Sequence, residues 1–85
     1  MKIEALVKMA NQISDFFEAE AGEKDAPAAV ATHLRRYWEP RMRKDILTHY
    51  DLNAGEGLDE ISLKAVGLLA AESAAKTGSP QSPGG

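Results

Sequence analysis

The organisation of the chain is decided by one stretch, His33-Leu34-Arg35-Arg36-Tyr37-Trp38-Glu39-Pro40-Arg41-Met42-Arg43-Lys44. It contains the only tryptophan, five of the ten basic residues, and the one proline that interrupts a helical pattern. Proline removes a backbone donor and disfavours helical geometry in the preceding residue, which predicts a helix break at Glu39-Pro40. Residues 35–44, which we call the elbow, carry a net charge of +4, whereas the whole chain carries −3. A basic, aromatic elbow in an acidic protein is more typical of a docking surface than of a catalytic pocket.

The length of 85 residues allows one domain. Residues 76–85 are rich in Gly, Ser and Pro and contain no large apolar side chain. Burial cannot offset the entropy of ordering such a segment, so we expect a helical domain at residues 1–75 and a disordered tail at residues 76–85. A domain this short buries only about 60% of its surface, and a bound partner or a second copy would add burial.

The chain contains no cysteine, which excludes disulfides and fits a reducing compartment. No segment reaches the ~18 apolar residues of a membrane span. The N-terminal residues Met1-Lys2-Ile3-Glu4 lack the apolar region of a signal peptide. We therefore expect a soluble, cytoplasmic protein with no membrane association.

Apolar residues recur at offsets of three and four, which predicts helices. The predicted helices are Ile3 to Ala21, Pro27 to Trp38, Arg41 to Leu52, and a fourth that follows Leu58-Asp59. No stretch alternates with a period of two, so we expect an all-α bundle of three to four short helices with a proline elbow at Glu39-Pro40. The predicted core consists of Leu6, Ile13, Phe17, Val30, Leu34, Ile46, Ile61 and Leu68.

Four smaller features complete the predicted fold. Tyr37 and Trp38 should both face inward from the second helix. Gly22 should end the first helix in a left-handed conformation, and Asp59 should cap the start of the fourth. Gly67 lies inside the fourth helix, where it would permit close packing of a neighbouring helix.

The sequence offers few groups for chemistry. His33 and His49 are the only histidines, and Asp45 lies four residues before His49, so this pair could share a helix face and bind a divalent ion. A structural zinc usually has four ligands, however, and a solvent-facing His49 is the better interpretation. We find no nucleophile elbow, no phosphate-binding glycine loop and no zinc-protease motif. We therefore predict no catalytic, cofactor-binding or metal-binding residue.

The elbow has three interpretations. Its arginines are simply solvated while Trp38 is part of the core, or they contact nucleic-acid phosphates from a helix-turn-helix, or they dock on a protein. Tyr, Trp and Arg are the residue types most enriched in interface hot spots, which favours protein docking. One or two arginines could instead brace carboxylates within the chain. The candidate partner-binding residues are Arg35, Arg36, Tyr37, Trp38, Arg41 and Arg43.

Three motifs resemble the delta subunit of soluble NAD-dependent formate dehydrogenase. They are Leu6-Val7-Lys8-Met9-Ala10-Asn11-Gln12-Ile13 followed by Phe16-Phe17, the stretch from His33 to Arg43, and Gly57-Leu58-Asp59 before an apolar helix. The resemblance extends over residues 3–70 and leaves out the tail. It implies a non-catalytic subunit that supports assembly, stability or cofactor maturation of the enzyme, either permanently or as a transient maturation factor.

The resemblance also implies the partners and their cofactors. The alpha subunit would carry bis-molybdopterin guanine dinucleotide with molybdenum or tungsten, together with iron–sulfur clusters, and the beta subunit would carry FMN. This chain should bind none of them, because cysteine ligation of a cluster is excluded here. We expect it to dock on the alpha subunit, to join the beta and gamma subunits through the complex, and to be capable of forming a homo-oligomer in isolation. A small helical nucleic-acid-binding regulator is the alternative.

Overall fold

The computed structural model describes the backbone of residues 2–78 and the side chains of residues 2–74. It contains four α-helices. They are α1 Ile3–Ala21, α2 Ala26–Tyr37, α3 Pro40–Asn53 and α4 Glu60–Gly78. Within the described residues there is no strand, and the predicted all-α bundle is confirmed. Helix α4 continues three residues into the predicted tail. Residues 79–85 of that tail lie outside the described residues, so its disorder stays a prediction.

Glycine or proline lies at one end of each of the first three helices. Helix α1 ends at Ala21, and the N–H of Gly22 donates to the Glu18 carbonyl at 3.0 Å. Gly22 has φ +88° and ψ 159°, so it ends the helix as predicted with a positive φ that favours glycine, although its ψ lies outside the left-handed helical region. Pro27 is the second residue of α2, and Pro40 is the first residue of α3. Near a helix start the missing N–H of proline costs nothing.

Within the elbow, a two-residue break at Trp38 and Glu39 separates α2 from α3. Trp38 (ψ 141°) and Glu39 (ψ 153°) both have extended backbones. The N–H of Trp38 still donates to the Leu34 carbonyl at 3.1 Å, and the N–H of Arg43 donates to the Glu39 carbonyl at 3.1 Å. The break predicted at Glu39-Pro40 is therefore confirmed, and it directs α3 away from the line of α2.

The turn between α3 and α4 depends on Gly55. Its φ is +69°, and a Cβ at this position would lie 2.6 Å from Cδ1 of Leu63 and 3.1 Å from Cδ1 of Leu58. A side chain here would be strained by both the backbone and the contact. Gly55 thus allows the turn to pack tightly against Leu58, which precedes α4, and Leu63, in the first turn of α4.

The core lies where all four helices meet. Leu6, Val30, Leu34 and Ile46 are fully buried, and Ile61 is nearly so. Ile13 and Phe17 are half-buried and pack against this cluster. Ala10, Ala31, Ala65 and Val66 are also buried, so small side chains line much of the core and let the helices approach closely.

Two residues that were predicted to face inward, Leu68 and Tyr37, are exposed, so these predictions are wrong. Leu68 is 43% exposed, because the buried face of α4 passes through Ala65, Val66 and Leu69 and leaves Leu68 at its edge. Tyr37 is 69% exposed, because Trp38, four residues after Leu34, takes the inward position at the end of α2. Adjacent helical residues point about 100° apart, so a single step moves a side chain out of the core.

Gly67 does permit a close approach, as predicted. A Cβ on Gly67 would lie 3.0 Å from the hydroxyl oxygen of Tyr50, so the ring from α3 packs directly on the α4 backbone. Beside this contact is an open depression of about 560 Å³, lined by Pro27, Tyr50, Leu63, Lys64, Gly67 and Leu68. None of the described helices is long and apolar enough to cross a membrane.

Candidate partner-binding surface at the elbow

The six candidate residues divide into two groups of three. Arg35 and Arg43 form hydrogen bonds within the chain and Trp38 belongs to the core, whereas Arg36, Tyr37 and Arg41 are exposed and form no ion pair with residues 2–74. Arg35 is exposed as well, so the division follows the partners that each side chain finds and not exposure alone.

Arg35 forms a two-point ion pair with Glu72 of α4. Its Nε donates to Oε1 at 3.0 Å, and its Nη2 donates to Oε2 at 2.6 Å. Planar guanidinium and carboxylate groups fit each other in this way, and the pair joins the end of α2 to α4. The side chains are 42% and 50% exposed, so solvent screens the interaction and its contribution to stability is small. The alternative that an arginine of the elbow braces a carboxylate within the chain therefore holds for Arg35.

Arg43 and Trp38 also contact other residues of the chain. Nη1 of Arg43 donates to the carbonyl of Arg35 at 3.0 Å, which holds the first turn of α3 against the last turn of α2. Trp38 is only 6% exposed and belongs to the core. Arg35 and Arg43 are thus engaged within the chain, and Arg36 and Arg41 are the elbow arginines without an ion pair to residues 2–74.

Arg36, Tyr37 and Arg41 form the outward side of the elbow. Tyr37 is the second most exposed large hydrophobic residue among those the structure describes. Neither Arg36 nor Arg41 forms an ion pair with any carboxylate of residues 2–74. Exposed arginines and an exposed aromatic ring suit a partner surface that offers both carboxylates and apolar contacts.

The exposed Tyr37 ring belongs to a series of four contacting rings, which was not predicted from the sequence. We call it the aromatic row, and its members are Phe16, Phe17, His33 and Tyr37. The ring centroids of successive members are 5.0, 5.7 and 4.8 Å apart, so the row crosses from α1 to α2. Phe16 is 57% exposed. Two adjacent phenylalanines on one helix cannot both face the same core, and that signal could have revealed the row.

A second polar region joins α1 to the start of α4, and we call it the α1–α4 junction. Its members are Asn11, Ser14, Asp59 and Ser62. Oδ1 of Asp59 accepts from the Ser62 N–H at 2.8 Å, which confirms the predicted helix cap, and also from the Ser14 hydroxyl at 2.9 Å. Asn11 accepts from the Asp59 N–H through its side-chain oxygen and donates to the Gly57 carbonyl, both at 2.9 Å. The buried Ser62 hydroxyl donates to the Ala10 carbonyl at 3.1 Å.

His49 is half-buried rather than solvent-facing, which corrects the prediction. Its Nε2 lies 2.8 Å from the carbonyl oxygen of Glu56, so this nitrogen carries the hydrogen and donates to the α3–α4 turn. Its Nδ1 lies 3.5 Å from Nδ2 of Asn53. Among the residues described, no group of three or more His, Asp or Glu side chains is placed to hold a metal ion.

The chain was compared with protein families, with curated proteins and with solved structures. The searches of curated proteins and of solved structures found no match. A family model described as "NADH-dependant formate dehydrogenase delta subunit FdsD" matches residues 5–66, from the first turn of α1 into the buried face of α4. The matched region includes the whole elbow, the aromatic row and the α1–α4 junction. Because the match covers well over half of the 85 residues, the chain belongs to the family of formate dehydrogenase delta subunits.

Proposed function

We propose that this chain is a non-catalytic subunit that docks on the large alpha subunit of a cytoplasmic, NAD-dependent molybdenum or tungsten formate dehydrogenase. Its contribution would be to the assembly, stability or cofactor maturation of that enzyme. The alpha subunit would carry bis-molybdopterin guanine dinucleotide and iron–sulfur clusters, the beta subunit FMN and the gamma subunit a further cluster. This chain would bind none of them. Family membership is the observation that carries the proposal.

The outward side of the elbow is the proposed contact with the alpha subunit. Arg36 and Arg41 have no carboxylate partner within the described part of the chain, and Tyr37 exposes 69% of its surface between them along the sequence. Arginine can bind a carboxylate through two parallel hydrogen bonds, and a tyrosine ring adds contact area at a low entropic cost. The proposed partner surface is therefore acidic with an apolar centre. Trp38 supports this contact from the core instead of touching the partner.

Co-purification tests the proposal. The variant with both Arg36→Glu and Arg41→Glu should fold normally but fail to co-purify with the alpha subunit, because reversed charges repel an acidic surface. The matched control is Lys8→Glu with Lys24→Glu, which changes the net charge by the same amount at exposed positions outside the elbow. This control should co-purify like the wild type. Full co-purification of the elbow variant would place the contact elsewhere on the chain.

The same purification separates a permanent subunit from a transient maturation factor. A permanent subunit would remain at one copy per alpha subunit in the mature, metal-loaded enzyme. A maturation factor would be enriched on alpha subunits that still lack the metal cofactor. Quantitative mass spectrometry of both forms of the enzyme would measure the ratio directly.

A further inference from the structure

The aromatic row presents apolar surface that the described part of the chain leaves uncovered. Phe16 and Tyr37, at its two ends, are two of the four exposed large hydrophobic residues described. Between them, the half-buried Phe17 and His33 hold the rings in edge-to-face or tilted contact, so the row is an unbroken series of ring contacts from α1 to α2 with both ends exposed. Grouped exposed aromatic rings on a small protein mark an interaction site.

Opposite charges lie at the two ends of the α1–α2 hairpin. Residues 15–25, which we call the acidic tip, contain five acidic residues and one lysine and carry a net charge of −4. The elbow, residues 35–44, carries +4. Residues 26–34 of α2 lie between the two and separate them by roughly 14 Å at 1.5 Å per residue. The aromatic row runs from Phe16 and Phe17, within the acidic tip, to Tyr37, within the elbow.

We propose that this face binds a second copy of the chain in a two-fold symmetric dimer. A two-fold axis that lies in the interface, perpendicular to the line from tip to elbow, sets each acidic tip on the elbow of the other copy. The same rotation sets the aromatic row of one copy on that of the other. A two-fold interface must be self-complementary, and a hairpin with an acidic segment at one end, a basic segment at the other and aromatic rings between them meets that condition, although Arg35 of the basic segment is already paired with Glu72.

The dimer and the proposed docking on the alpha subunit use overlapping surfaces. Arg36 and Tyr37 belong to both, so one copy cannot make the two contacts together. The dimer would thus keep the aromatic row of the isolated subunit covered until the alpha subunit displaces the second copy. The dimer itself does not rest on the proposed function, because its argument uses only the surface of this chain.

Sedimentation equilibrium of the full chain tests the dimer. We expect the wild type to dimerise in the micromolar range, with dissociation favoured by rising salt because the tip–elbow contact is electrostatic. Phe16→Ser and Tyr37→Ser should each raise the dissociation constant at least tenfold. Leu52→Ser is the matched control, since Leu52 is 73% exposed and lies on α3 outside the row, and it should leave dimerisation unchanged. Circular dichroism of each variant verifies that the helices are intact.

Disulfide trapping tests the orientation. The chain has no cysteine, so a single substitution introduces the only thiol. Glu20 lies one helical turn after Phe16 on the acidic tip, and Arg36 lies on the elbow, and both are exposed. Under mild copper–phenanthroline oxidation, Glu20→Cys mixed with Arg36→Cys should form a mixed disulfide faster than either variant alone. Leu52→Cys mixed with Arg36→Cys should form little.

Two results would overturn the inference. One is a monomer at all concentrations up to the millimolar range, and the other is a dimer that Phe16→Ser and Tyr37→Ser do not weaken. Equal trapping of the Leu52→Cys control would also contradict the tip-on-elbow arrangement. Failure of the dimer is distinct from failure of the proposed function, because dimerisation is measured on the isolated chain and docking is measured by co-purification with the alpha subunit.

Discussion

The elbow and the α1–α4 junction both place polar side chains next to the start of a helix, but they use them differently. At the junction, Asn11, Ser14 and Asp59 bond to one another or to nearby backbone, over separations of more than 40 residues along the chain. At the elbow, Arg36 and Arg41 extend from the surface without an ion pair to any carboxylate of residues 2–74. The junction holds the fold together, whereas the outward side of the elbow contributes little to it.

The difference has a physical basis in burial. A buried polar group that loses its partner costs free energy, so the junction has to be complete. No buried side-chain nitrogen or oxygen of the described residues lacks a hydrogen-bond partner. Exposed arginines bond to water instead, so they are free to exchange water for a protein partner at little cost. Substitutions in the two regions should therefore separate stability from binding.

Asp59→Ala should lower the free energy of unfolding more than any other substitution proposed for the two regions. It removes the α4 cap, worth about 1 kcal/mol, and leaves the buried Ser14 hydroxyl without its acceptor, worth about 1–3 kcal/mol. We expect the free energy of unfolding to fall by about 2–4 kcal/mol, measured by urea denaturation. Asp59→Asn is the matched control, because it keeps an oxygen at the accepting position and should lose clearly less. Equal losses in the two variants would show that the negative charge, not the hydrogen bonds, stabilises this junction.

An intermediate effect is expected for the Arg35–Glu72 pair, which joins the elbow to α4. Both side chains are more than one-third exposed, so their coupling should be only about 0.2–1 kcal/mol despite the two-point geometry. A double-mutant cycle with Arg35→Ala and Glu72→Ala measures it. Lys64→Ala with Glu60→Ala provides a comparison, because that pair is a single, longer contact of 3.4 Å at higher exposure. A coupling above 2 kcal/mol would mean that solvent screens Arg35 much less than its exposure indicates.

The helix boundaries could be predicted well from the sequence, because local chemistry sets them. Gly22, Pro27 and Pro40 act on the backbone of their own neighbours, and no tertiary contact is needed to foresee the result. It was harder to predict whether a residue at the border of a buried helix face points inward or outward. Leu68 against Leu69 and Tyr37 against Trp38 are neighbours with similar side chains, and the packing of the helices against each other decides which one is buried.

The division of the elbow arginines could not be predicted from the sequence. Arg35 and Arg36 are identical neighbours, and only the position of Glu72 on α4 distinguishes them. The same holds for Asn11, whose hydrogen-bond partners Asp59 and Gly57 lie far along the chain. Such partners are separated by 37 to 48 residues, and a helical pattern carries no information over that distance.

The smallest effect on stability is expected for Arg36→Ala combined with Arg41→Ala. Both residues are exposed and form no ion pair with residues 2–74, so the free energy of unfolding should change by less than about 0.5 kcal/mol. Urea denaturation of the double variant and of Asp59→Ala would compare, as free energies of unfolding, how much the elbow and the junction contribute to stability. The same double variant should weaken both the salt-dependent self-association of the isolated chain and its retention on the alpha subunit, since each contact uses Arg36. A loss of stability above 1 kcal/mol would instead assign these arginines to the fold. In that case the elbow and the junction would serve the same purpose, and the binding surface would have to be sought at the Phe16 end of the aromatic row.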